Sequence, residues 1–124
     1  MEKKILVVDD EPKIVQVITS RLKANHYETC AAFDGMQAVH LAHEQKPDLI
    51  ILDIRMPAGG GMSVYKNLKM SSDTATIPII FLTADASPET REKVLEMGAE
   101  GFITKPFDSE DLMKKVNDIL GEGA

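Results

Sequence analysis

A chain of 124 residues, 44% hydrophobic and 27% charged, is long enough to bury one core without disulfides or a structural metal. Its 20 acidic and 14 basic residues leave a net charge of −6, which sets this domain against direct nucleic-acid contact because phosphates repel it. The one cysteine, Cys30, excludes an internal disulfide, no zinc-ligand spacing occurs, and no apolar run approaches the roughly 20 residues that cross a bilayer. The opening apolar run, Ile5 to Val8, is too short for a signal peptide. A reducing cytoplasm is the expected compartment, with Cys30 a small buried apolar residue.

Lys4 to Val8 reads as a first strand that stops at Asp9-Asp10. Pro12 suits a first helical turn, and Ile14, Val17, Ile18 and Leu22 follow at helical spacing. Glu28 to Ala32 is a weaker strand. Asp34 can cap the next helix, which buries Ala38, Val39, Leu41 and Ala42 and is stopped by Lys46-Pro47. Leu49 to Leu52 is a third strand ending on Asp53, and Met62 to Met70 a third helix. Pro78 to Leu82 is a fourth strand ending at Thr83. Ser87-Pro88-Glu89 opens a fourth helix, and Gly98 closes it. Gly101 to Thr104 is a fifth strand ending at Lys105-Pro106, and Asp108-Ser109 opens a last helix with Leu112, Val116, Ile119 and Leu120 on one face.

Strict strand–helix alternation implies a parallel sheet with helices on both faces. Strands that are apolar at every position, such as 49–52 and 79–82, belong to a sheet covered on both sides. The expected fold is a single α/β domain, a doubly wound five-stranded parallel sheet.

In such sheets, ligands sit beyond the carboxyl ends of the strands. Asp9 and Asp10, Asp53, Thr83 and Lys105 all fall at that end, whereas Asp48 precedes its strand and belongs to the opposite rim. Carboxylates gathered within about 5 Å repel by roughly 3 kcal/mol per pair at an effective dielectric near 20. Such a cluster recruits a cation or holds a proton. All-oxygen donors favour Mg2+, and carboxylates with one lysine and one hydroxyl suit a phosphoryl group, with one carboxylate as a possible nucleophile. Singly, each residue has a plainer reading as a helix cap, strand end or surface charge; their convergence on one rim favours the joint one.

Asp9-Asp10, the stretch "DIRMP" containing Asp53, Thr83-Ala84 and "KPF" at Lys105-Pro106-Phe107 together resemble the receiver domain of two-component response regulators, over nearly the whole chain. The resemblance implies a flavodoxin-like fold with strand order 2-1-3-4-5 and residues 1–121 as the receiver; by composition, residues 122–124 read as a flexible tail or the start of a linker. It implies that Asp53 accepts a phosphoryl group from a phosphohistidine of a sensor histidine kinase or phosphotransfer protein. It implies Mg2+ held by Asp10, Asp53 and the main-chain carbonyl of Arg55, with Asp9 assisting, and phosphoryl contacts from Thr83 and Lys105. It also implies a cis Lys105-Pro106 bond, and a switch in which Thr83 moves inward and Phe102 follows, reshaping the face of the last two helices and the strand between them. The result is a signalling domain rather than an enzyme, with only slow self-catalysed phosphoryl gain and loss. It acts on a downstream protein target or fused output domain, as a monomer or a phosphorylation-dependent dimer, with no membrane contact.

The chain departs from the family's common pattern twice. Phe102 stands where a tyrosine is frequent and has no hydroxyl to bond outside; its plainer reading is core in both states, and the switch reading is favoured. Gly59-Gly60-Gly61 costs backbone entropy and is expected to loosen the loop beside the site. His40 and His43 share a helix face without a third ligand and read as solvated. Lys114-Lys115 read as a solvated face or as a contact for an acidic partner. A flavodoxin-like electron carrier would need a phosphate-cradling loop after the first strand, where the chain has acidic "DDEPK". An aspartyl phosphatase would need a general acid just after its nucleophile, where the chain has Arg55.

Overall fold

The computed structural model describes residues 2–56, 60–85 and 87–121. In chain order the elements are β1 (Lys4–Val8), α1 (Pro12–Ala24), β2 (Glu28–Ala32), α2 (Gly35–Gln45), β3 (Leu49–Asp53), α3 (Gly60–Lys69), β4 (Ile79–Thr83), α4 (Pro88–Met97), β5 (Gly101–Thr104) and α5 (Ser109–Leu120). The strands form one parallel sheet in the order β2-β1-β3-β4-β5, as expected for the flavodoxin-like α/β fold. Among the described residues, no helix is long and apolar enough to cross a membrane.

Strand side chains alternate between two cores. Leu6, Val8, Ile50, Leu52, Ile79 and Phe81 pack beneath α2, α3 and α4. Ile5, Val7, Leu49, Ile51, Ile80 and Leu82 pack beneath α1 and α5. Both faces being covered, all five residues of β3 and of β4 are buried, which is why these strands read as unbroken apolar runs.

Local signals set most helix ends. Pro12 occupies the first turn of α1. The Asp34 carboxylate accepts from the Gln37 N–H at 2.9 Å and caps α2. Lys46, forced out of the helix by the following Pro47, adopts φ 45°. Ser87 caps α4 and Gly98 ends it.

Three burial expectations change. Val17 is 52% exposed, because Val15, Ile18 and Leu22 define the inward face of α1 and Val17 lies beyond its edge at 100° per residue. Val39, Leu41, Ile119 and Leu120 are only half-buried, flanking the cores. Cys30 is half-buried on the edge strand β2, and burial still pushes its thiol above the usual value.

The third helix starts two residues earlier than expected, at Gly60. Gly61 donates to the Ile54 carbonyl at 2.7 Å, and a Cβ on it would lie 2.1 Å from the Asp53 carbonyl oxygen. Gly60 has φ 67°, and a Cβ there would lie 2.6 Å from the Ile54 carbonyl oxygen. These two glycines thus bring the helix hard against the end of β3; residues 57–59, which make up the loop expected to be loosened, lie outside the described residues. Gly61→Ala is expected to lower stability by about 2 kcal/mol, because backbone must move to admit the methyl group. Urea unfolding at neutral pH measures this, and an unchanged midpoint would contradict so close a contact.

Candidate functional site

Three strands deliver carboxylate or ammonium groups to one rim. β1 runs into Asp9 and Asp10, β3 ends on Asp53, and the chain leaves β5 at Lys105. Backbone bonds continue the sheet to this edge: Asp9 N–H donates to the Ala32 carbonyl, Ile54 N–H to Leu82, and Lys105 N–H to Thr83 at 2.7 Å. Asp9 is fully buried and Asp53 3% exposed, whereas Asp10 faces solvent. One carboxylate oxygen from each of Asp9, Asp10 and Asp53 lies within 4.8 Å of the others. The clustering expected from strand ends is therefore present.

Lys105 bridges the buried pair. Its Nζ lies 2.7 Å from Asp9 Oδ2, 3.4 Å from Asp53 Oδ2 and 3.6 Å from Glu11 Oε1. The 2.7 Å contact is a charge pairing without hydrogen-bond alignment. Asp9 Oδ1 accepts from the Glu11 N–H at 2.9 Å, and Asp53 Oδ1 from the Arg55 N–H at 3.1 Å. The Lys105-Pro106 bond is cis.

Burial first, and the charge of Asp9 second, push the Asp53 carboxyl up to about 6, against the lowering exerted by the Arg55 N–H and Lys105. Burial opposes the charge on Lys105, but the carboxylates around it outweigh burial and raise its ammonium above the usual value. Excess buried negative charge is thus only partly matched by one ammonium. An all-oxygen donor set of three carboxylates with unsatisfied repulsion fits a hard divalent cation such as Mg2+. Among the described residues, no other group of three or more acidic, His or Cys side chains has this spacing.

Thr83 ends β4, next to β3 in the sheet and buried. Its hydroxyl accepts from the Asp85 N–H at 2.9 Å and lies 3.2 Å from the Asp85 carbonyl. The Asp85 carboxylate in turn accepts from Ser87 N–H at 2.9 Å and from the Thr90 hydroxyl at 2.6 Å; these bonds, Thr90's first, hold it below the usual carboxylate range. Phe102 lies half-buried on β5 with the Arg91 guanidinium over its ring. Asp48 sits on the opposite rim, where it accepts from the Lys4 N–H at 2.8 Å. His40 is exposed and pairs with Glu44 at 3.2 Å, as a solvated face should.

Sequence reasoning passed over Glu11, Asp85 and Arg91. Glu11 carried a signal, as the third acid of a run that begins at two site residues. Asp85, two residues past Thr83, could have been read as an Asx turn before a helix. Nothing in sequence pairs Arg91 with Phe102.

The family profile of the response regulator receiver domain matches residues 5–117. Three solved structures illustrate the likeness. The chemotaxis response regulator CheY4 of Vibrio cholerae shares 34% identity over 96% of this chain and 99% of its own, with a TM-score of 0.89. The receiver domain of the Francisella response regulator 1452 shares 34% over 97% and 98%, TM-score 0.89. The receiver domain of the sensor histidine kinase PA1611 from Pseudomonas aeruginosa, with a magnesium ion coordinated in its active-site cleft, shares 32% over 98% and 100%, TM-score 0.88. With a sheet of the same order and an acidic rim at its carboxyl edge, the chain belongs to the response regulator receiver domain family of two-component signalling.

Proposed function

We propose that this receiver is a phosphorylation-controlled binding module with Asp53 as its phosphoacceptor. The donor is a phosphohistidine on a sensor histidine kinase or phosphotransfer protein. A carboxylate oxygen of Asp53 attacks phosphorus as the P–N bond breaks, and the bonding pair returns to the imidazole nitrogen, which takes a proton from solvent. The observation that carries this reading is a strand-end carboxylate, 3% exposed, with an ammonium 3.4 Å from one of its oxygens.

Each residue's part follows from its position. The doubly covered strand β3 holds the nucleophile rigidly, so little orientation has to be found during reaction. Lys105 meets the phosphoryl oxygens as a point charge. Thr83 offers its hydroxyl once released from Asp85. Asp10, Asp53 and the main-chain carbonyl of Arg55 hold Mg2+, with Asp9 assisting; when bound, the ion neutralises charge on the transferring group. Arg55 stands just after Asp53, where an aspartyl phosphatase would carry its general acid, so phosphoryl loss is expected to be slow.

The output is a change of surface. Thr83 moving toward the phosphoryl group vacates space for Phe102, and the face of α4, β5 and α5 is reshaped. That face carries a groove of about 660 Å³ lined in part by Phe102, Leu95 and Ile119, and a downstream protein or fused output domain docks there. The covalent change of one residue biases a two-state equilibrium.

The test is incubation with acetyl phosphate and Mg2+. The wild type is expected to gain the mass of one phosphoryl group, and Asp53→Asn to gain none. Equal labelling of the two proteins rejects Asp53 as acceptor.

A further inference from the structure

Phe102 has no hydroxyl with which to hold itself against a neighbour, yet its ring is not left to solvent. Arg91, on the exposed side of α4, sets its guanidinium carbon 5.3 Å from the ring centroid, within cation–π range. The inner side of the ring packs against the core beneath α2, α3 and α4. Arg91 also belongs to the first turn of α4, where its N–H donates to the Ser87 carbonyl at 3.1 Å.

That turn is tied to the site. Thr83 bonds Asp85, and Asp85 bonds Ser87 and Thr90, the residue before Arg91. The far end of α4 is pinned independently: the Tyr65 hydroxyl donates to the Met97 carbonyl at 2.6 Å. A helix anchored at its C-terminal end and tethered to Thr83 at its N-terminal end responds to a movement of Thr83 chiefly at its first turns. Arg91 is therefore positioned so that the state of Thr83 and the position of Phe102 are felt together.

We propose that Arg91 is a positioning residue of the switch, a latch that holds Phe102 in the state where the Thr83 hydroxyl is bonded to Asp85, and so opposes modification of Asp53. The inference rests on the phosphoacceptor reading above. By linkage, a contact present in one state and lost in the other weakens whatever ligand selects the other state by the same factor. An exposed cation–π contact is worth about a two- to fivefold change in such an equilibrium.

The experiment is calorimetric titration of beryllofluoride, the phosphoryl mimic, in saturating Mg2+. Arg91→Gln is expected to bind it about two- to fivefold more tightly than wild type, and Arg91→Lys, which keeps a cation, to stay near wild type. In a Phe102→Leu background, Arg91→Gln is expected to change nothing further. The sign is informative, because deleting a positive charge in a chain already at net charge −6 should by itself weaken anion binding. An Arg91→Gln affinity equal to or weaker than wild type overturns the latch, as does the same tightening without the ring. Absence of any beryllofluoride binding to the wild type overturns the phosphoacceptor reading and the latch with it, an outcome distinct from a wild type that binds and a variant that does not differ.

Discussion

Lys105→Met should cost this protein about 4 kcal/mol of folding stability at neutral pH in the absence of divalent cations. Removing one member of a buried ion pair leaves an uncompensated charge, at about 3–5 kcal/mol. Here two carboxylates lose their cation at once: Asp9, fully buried, and Asp53, 3% exposed, at 2.7 Å and 3.4 Å from Nζ. Methionine keeps the apolar stem, so the loss is electrostatic and not one of packing. Two conditions should restore stability. Saturating Mg2+ supplies the missing positive charge and stabilises the folded form by mass action, and acid protonates Asp53. Urea unfolding with chelator, with Mg2+ and at mildly acidic pH reads all three. A deficit that persists undiminished in Mg2+ and acid would mean that Lys105 serves packing instead.

Asp53→Asn should do the opposite and stabilise the cation-free protein by about 2 kcal/mol at neutral pH. The folded protein holds the Asp53 carboxyl up to about 6, through burial first and the Asp9 charge second, against an ordinary 3.8. Between those values the folded state binds more protons than the unfolded one, so stability falls as pH rises through the interval, and above about 6 the whole penalty is present. Holding a carboxyl that far above its ordinary value costs about 3 kcal/mol once it is ionised, and a neutral amide, itself partly desolvated, recovers most of that. The gain of the variant over wild type should therefore be greatest above about pH 6 and vanish below about pH 4. Chelator-treated proteins unfolded in urea across this range provide the measurement, and a pH-independent gain would point to packing. The residue proposed as phosphoacceptor is thus one that the fold alone would do better without.

Much of this arrangement was legible in the chain because it is local or periodic. Val8-Asp9-Asp10 and Leu52-Asp53 announce apolar runs that stop on acids, and alternation places such stops on one rim. Asp34, Ser87 and Gly98 mark helix ends by side-chain and backbone chemistry that acts within four residues. The strand order came from resemblance, not from periodicity. What remained hidden depends on long-range packing. Val17 fits a helical repeat but lies at its edge, and only the sheet decides where the edge falls. Gly61 reads as entropy lost until β3 is seen pressing its carbonyl against it. Arg91 and Phe102 lie on different elements, and no pattern in either foretells that one covers the other.

The alternation of strand side chains has a mechanical meaning. Phe102 and Ile103 are adjacent in β5, yet the first packs against the layer beneath α2, α3 and α4 and the second belongs to the layer beneath α1 and α5. The sheet is a partition between two rooms. The sheet screens the second layer from the first, so the packing of α1 on Ile5, Val7 and Ile51 is a frame that a movement of Phe102 does not have to disturb.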